Sequence, residues 1–185
     1  MITTLLYKSG VGYKRMKLKL IWLILIISLC SGEYICYNNQ GTYAYVTETN
    51  CTGAQNSQDI YDVLQDFYKG LNGANWYINT NWLDGTMSYC EWAGLECNLQ
   101  CNITSIELVN NNLTGVITDK ISKLETLINI NLFCNYVEYG LSSLKFLTLL
   151  EEITLTYNNV HGTIPVEFGQ FHNLEILNMQ QNKIE

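Results

Sequence analysis

No stretch of the chain is both long and apolar enough to cross a bilayer as a helix, which takes about 20 residues. The longest apolar run, Leu20–Leu29, has ten. Basic residues are also few, ten Lys and Arg against seventeen Asp and Glu. Five of the ten (Lys8, Lys14, Arg15, Lys17 and Lys19) lie in the first 32 residues, where acidic residues are absent. A basic segment, a short apolar run and then Cys30-Ser31-Gly32 read as a secretory signal peptide over residues 1–32, with Met16 as a possible true start. Its removal takes five basic residues and no acidic one, moving the formal net charge from −7 to −12. A field of that sign repels polyanions, so nucleic acid and anionic membrane surfaces are excluded as partners, and no membrane insertion is expected of the mature chain.

Groups for catalysis are scarce as well. His161 and His172 are the two histidines and stand eleven residues apart with no nucleophile motif beside them. Glu151 and Glu152 are consecutive, and on a strand consecutive side chains point to opposite sides, so they make no acid/base pair. No C-x-x-C pair and no nearby histidine accompanies Cys90, Cys97 and Cys101, which argues against zinc. The expectation is a chain that is not an enzyme and needs no cofactor or metal. Six of the seven cysteines remain after residue 32, an even number suited to disulfides in a secreted chain.

Residues 33–56 are rich in Tyr, Asn and Thr and show no period; Cys36 and Cys51 bracket them, giving a flap tied by that pair. From Ser57 to Gly70 the apolar residues Ile60, Val63, Leu64, Phe67 and Tyr68 recur at helical spacing. Asn56 or Ser57 can cap this helix and Gly70 can close it. Cys90 and Cys97 close an eight-residue loop, which chain entropy values at about 2.5 kcal/mol. Cys101 and Cys134 are left over, to pair with each other or to leave Cys134 unpaired on an outward face, because connectivity cannot be read from sequence.

The C-terminal half is organised by repetition. Ile103, Ile106, Leu108, Asn111, Leu113, Gly115 and Ile117 recur in register as Leu150, Ile153, Leu155, Asn158, Val160, Gly162 and Ile164, followed by Pro165. A second unit gives Leu127, Ile130, Leu132, Asn135 and Val137, and a fourth gives Leu174, Leu177, Met179, Asn182 and Ile184. The asparagines stand 24, 23 and 24 residues apart, the period of a leucine-rich repeat. Alternation sends Ile106 and Leu108 inward and Glu107 and Val109 outward. Stacked copies share an aliphatic core, so the predicted fold is an α/β solenoid with parallel strands on its concave face. Each asparagine offers its donors and acceptor to unpaired backbone where the chain leaves the strand. In the second unit Tyr139 stands where glycine is expected and Gly140 comes one residue late, a one-residue deletion placed on the convex side. The fourth unit stops twelve residues in, with no C-terminal cap, which reads as a fragment of a longer protein or a poorly stable remnant.

Ahead of the repeats the order is helix, Asn75-Trp76, Asn81-Trp82-Leu83, then Cys90-x-Trp92-x-Gly94-x-x-Cys97. This order over residues 57–118 resembles the N-terminal cap and first repeat of plant-type extracellular leucine-rich repeat proteins, such as receptor ectodomains and inhibitors of cell-wall enzymes. The Leu113–Ile117 and Val160–Pro165 segments are similar to that family's L-x-G-x-I-P stretch. The organisation is then a signal peptide (1–32), a flap (33–56), a disulfide-stabilised cap with one helix (57–102) and four repeats, the last truncated (103–185). Trp76, Trp82 and Trp92 are expected to pack within the cap.

The resemblance implies recognition of a protein, peptide or glycan by the concave face, from a secreted or cell-surface location. Outward positions there are Glu107, Asn131 and Thr154 in one column and Phe133 and Thr156 in the next, with Tyr157 beside them; Phe133 and Tyr157 are expected as exposed aromatics. An adhesion or matrix protein without a single ligand is the alternative, and an enzymatic role would need a further domain such as a kinase. Asn50, Asn102 and Asn112 head N-x-Thr tripeptides and are glycosylation acceptors in a secreted chain. Oligomeric state is not legible.

Overall fold

The structure is a computed structural model that describes the backbone of residues 4–9 and 12–17, then Cys51 and residues 57–185. The chain divides into two units, Met1–Tyr37 and Asn38–Glu185. In the first, β1 (Thr4–Ser9) and β2 (Gly12–Lys17) pair antiparallel, Thr4 opposite Lys17 and Ser9 opposite Gly12. This hairpin falls in the basic segment of the predicted leader. The leader's apolar run, and the flap apart from Cys51, lie outside the described residues.

The second unit opens with helix α1 (Gln58–Gly70), which buries Val63, Leu64 and Phe67 and carries Asp59 at its start and Lys69 at its end. Ser57 holds the N-cap position without a side-chain cap bond, so the expected capping is positional only. Gly70 belongs to the last turn, and Leu71 follows as the C-cap. Its lack of a side chain is used elsewhere: a Cβ on Gly70 would stand 2.7 Å from the Val116 carbonyl oxygen.

After the helix, β3 (Leu95–Cys97) precedes the repeats, which contribute β4 (Ile103–Glu107), β5 (Thr114–Val116), β6 (Asn129–Asn131), β7 (Tyr136–Tyr139), β8 (Glu152–Thr154), β9 (His161–Gly162), β10 (Ile176–Asn178) and β11 (Lys183–Ile184). The main sheet runs β10-β8-β6-β4-β3. Its repeat strands are parallel, with Ile106 beside Ile130, Ile130 beside Ile153 and Ile153 beside Leu177. β3 pairs antiparallel with β4, Leu95 opposite Ile106. The cap thus covers the first repeat with a strand of its own, which sequence periodicity did not reveal. Short parallel ladders, β5 with β7 and β9 with β11, follow the concave strands. In β7 the register slips against β5 between Gly115 and Val116, which sets Val116 opposite Tyr139. The irregularity of the second repeat is therefore a bulge in this ladder, and Gly140 turns after it at φ +127°.

Ile106, Leu108, Ile130, Leu132, Ile153 and Leu155 are all buried in one continuous core with the cap. The asparagines bind backward along the solenoid. Asn135 Oδ1 accepts from the Asn111 and Leu113 amides of the preceding repeat (2.9 and 3.0 Å), while its Nδ2 donates to the Leu108 and Leu132 carbonyls (2.7 and 3.0 Å). Asn158 accepts from Val137 N–H and donates to Leu132 and Leu155; Asn182 accepts from Val160 N–H and donates to Leu155 and Met179. Asn111 has no repeat before it and uses the cap: its Oδ1 accepts from Ile78 N–H (2.6 Å) and its Nδ2 donates to the Ile78 carbonyl (2.8 Å).

The cap's interior is aromatic. Trp82 meets Trp76 edge-on at 4.9 Å and Trp92 at 5.2 Å, and Phe67 stacks on Trp82 at 6.2 Å. Trp76 Nε1 donates to Leu71 O and Trp82 Nε1 to Ala93 O, both at 2.8 Å. These tryptophans pack, as expected.

Helix α1 and β5 touch backbone to backbone. Gly115 has φ +118°, and a Cβ there would strike the Gly70 carbonyl oxygen. Gly115→Ala combines left-handed backbone strain with this collision, so it lowers stability by about 2 kcal/mol or more, read as a fall in the urea midpoint. Gly169→Ala, where an added Cβ meets nothing within 4 Å, is the control.

Candidate functional site

The disulfides set the edges of the site. Cys90 bonds to Cys97, and Cys51 bonds to Cys101. The second bond corrects the expected Cys36–Cys51 pairing. Cys101 turns at φ +61° with its N–H on the Asn98 carbonyl, and its Cα comes within 5.7 Å of that of Cys51 across a separation of 50 residues. Cys36 is nearer in sequence but lies outside the described residues. Cys134 is disulfide-bonded as well, so it is not a free thiol, and with Cys101 taken by Cys51 the Cys101–Cys134 alternative falls. Among the described residues no cluster of His, Cys, Asp and Glu is placed to hold a metal ion. His161 stacks on Tyr139 at 5.4 Å, and His172 is exposed on the segment between β9 and β10.

The concave side of the main sheet gathers the predicted recognition residues. The parallel register sets Glu107 beside Asn131, Asn131 beside Thr154 and Thr154 beside Asn178. Phe133 and Tyr157 meet edge-to-face at 5.7 Å, a favoured aromatic geometry. They are half-buried rather than fully exposed, because each packs against the other. Tyr157 reaches this place through a left-handed turn at φ +57°, a conformation shared by Asn110, Cys134 and Gln181 at the same position of their units. Asn131 Oδ1 accepts from Phe133 N–H at 3.2 Å, fixing the strand end on which the ring sits.

Glu107, Thr154 and Thr156 retain only 6, 7 and 8% of their exposure. The side chains are enclosed where exposure was expected. Part of the reason is a third column that the sequence reading did not include. Ser105, Asn129 and Glu152 stand side by side two residues before the Glu107 column. Asn129 Nδ2 donates to Ser105 Oγ (3.1 Å) and Glu107 Oε1 (3.3 Å), and Thr154 Oγ1 donates to Glu152 Oε1 (2.9 Å). The period of two that placed Glu107 outward also places these residues outward; counting back one further step would have found them. The result is a surface in which an aromatic pair lies at one end of the strands and the half-buried side chains of Asn129, Asn131 and Glu152 lie along them.

No family model matches the chain. Over 102 residues, 55% of its length, it is 32% identical to MDIS1-interacting receptor like kinase 1 of Arabidopsis thaliana, of which it covers 10%. Over 79 residues, 43% of its length, it is 35% identical to the polygalacturonase inhibitor of Pyrus communis, of which it covers 24%. The chain thus spans about a tenth to a quarter of the length of these curated relatives. Among solved structures, the leucine-rich repeat ectodomain of the Arabidopsis thaliana receptor kinase SOBIR1 matches with a TM-score of 0.57 at 24% identity, covering 70% of this chain and 69% of that one. The Arabidopsis receptor kinase HAESA, in complex with the peptide hormone IDA and the co-receptor SERK1, matches with a TM-score of 0.61 at 21% identity, covering 70% and 22%. The architecture is that of a leucine-rich repeat solenoid. In sequence the chain is similar to a plant receptor kinase and a polygalacturonase inhibitor, and its fold is that of a leucine-rich repeat protein.

Proposed function

We propose that the chain is the recognition part of a secreted or cell-surface protein, delivered by the leader over residues 1–32. It binds an extracellular protein, peptide or glycan through the concave face and performs no catalysis. The observation that carries this reading is the pairing, on one sheet face, of the Phe133–Tyr157 aromatic contact with the half-buried polar side chains of Asn129, Asn131 and Glu152. Such a surface offers an apolar anchor beside hydrogen-bonding groups, and anchors of this kind dominate binding energy at protein contacts. The HAESA structure contains a peptide hormone, and another neighbour, PEPR1, is solved with AtPEP1, so the fold supports peptide recognition in relatives.

Panning a displayed library of random linear twelve-residue peptides against the immobilised chain tests this. Enriched peptides are expected to lose at least tenfold in affinity with Phe133→Ala and with Tyr157→Ala, about 1.4 kcal/mol or more, while the urea midpoint stays close to that of the parent. Enrichment that is indifferent to both substitutions would remove the concave face from the proposal.

A further inference from the structure

We infer that, of the two sequons among the described residues, Asn102 carries an N-linked glycan and Asn112 does not. We also infer that the proximal sugar of that glycan lies over the groove at the flank of the cap. The inference rests on the secretory location proposed above. Asn102 follows the left-handed turn at Cys101 and immediately precedes β4. Its side chain is exposed. Its backbone is held on both sides, the N–H on Asn98 Oδ1 (3.0 Å) and the carbonyl accepting from Asn98 N–H (2.9 Å). The Cys51–Cys101 bond pins the residue before it. The backbone is therefore fixed while the side chain is left to solvent, so the folded chain accommodates a bulky group on that side chain.

Asn112 is placed differently. It is half-buried at φ +58°, and the nitrogen that would carry the sugar donates a 2.8 Å hydrogen bond to the Asn75 carbonyl. That contact ties the first repeat to the cap, so a glycan on this atom would stand in the junction between them. The third sequon, at Asn50, lies outside the described residues.

A groove of about 200 Å³ has Asn102 on its rim. Ile60 of α1 gives it a half-buried apolar side chain over the buried Ile103 and Leu124, and Lys123, Glu125 and Thr126 give it polar groups. A pyranose has an apolar face of C–H groups and an equatorial edge of hydroxyls, and this groove presents the two matching kinds of surface. Its covalent attachment at the rim makes the sugar an occupant at high effective concentration, so weak contacts suffice. The glycan then shields the cap's flank and leaves the concave face open.

The test uses the full chain, made in a eukaryotic secretory host both with its own leader and behind a heterologous signal. Secretion with its own leader reports on the location, whereas occupancy read on the heterologous product reports on the site. Glycopeptide mapping is expected to find Asn102 modified in most molecules and Asn112 in few. Asn102→Gln and Thr104→Ala should each remove one glycan from the intact mass, while Asn112→Gln leaves the mass of carbohydrate unchanged. Hydrogen exchange across residues 123–126 should be several-fold faster in both glycan-lacking variants than in the parent. An unmodified Asn102, or equal occupancy of Asn112, overturns the site. Unchanged exchange at 123–126 overturns the seat of the sugar.

Discussion

Asn135→Ala is expected to lower the unfolding free energy by about 4 kcal/mol, measured by urea denaturation. The substitution strips the acceptor from two buried backbone amides, those of Asn111 and Leu113, and removes donors from the Leu108 and Leu132 carbonyls. Each buried group left without a partner costs about 1–3 kcal/mol, and Asn135 is itself buried. A domain stable by about 5–15 kcal/mol would lose a large share of its margin. Asn135→Asp separates the two halves of the effect, because a carboxylate keeps the acceptor and loses the donor. The cost of burying its charge would still leave it well below the parent. An outcome within 1 kcal/mol of the parent for the alanine variant would mean that the asparagine fills space and does not bind the repeats together.

The second large effect concerns the cross-links. Replacing both Cys51 and Cys101 by serine is expected to cost about 4 kcal/mol, and replacing Cys90 and Cys97 about 2.5 kcal/mol, because loop-closure entropy grows with the logarithm of the enclosed length. The first bond spans 50 residues and the second seven. The order of the two losses is the sharper part of the prediction. Thermal unfolding of both double variants, with peptide mapping under non-reducing conditions, reads the effect and the pairing together. A mapped Cys36–Cys51 peptide would refute the arrangement on which it rests.

What was legible in the sequence was what repeats. Alternation of aliphatics around Ile106, Ile130 and Ile153 fixed the inward side of the first three repeat strands, since side-chain direction is a local property of the backbone. The asparagine column was legible for the same reason, although only the structure shows that each one reaches back to the unit before. Cys51–Cys101 was not legible, because proximity in sequence favours Cys36 and only the folded cap brings Cys101 close. The antiparallel strand Leu95–Cys97 escaped because three residues carry no readable period. Enclosure of Glu107, Thr154 and Thr156 escaped because alternation gives a direction and says nothing about neighbours. Ser105, Asn129 and Glu152 were legible in principle, and the same period of two would have found them.

The backward reach of the asparagines has a consequence for synthesis. When a repeat leaves the ribosome, the amides at its strand end have no acceptor until the asparagine about one period later has followed it out. At about 5–20 residues per second that interval is about 1 to 5 s for a spacing of 23 or 24 residues. The first repeat differs from the rest at its other side, since Asn111 meets Ile78, a residue already made. Growth therefore proceeds from a finished cap, with one unsealed unit always at the advancing end.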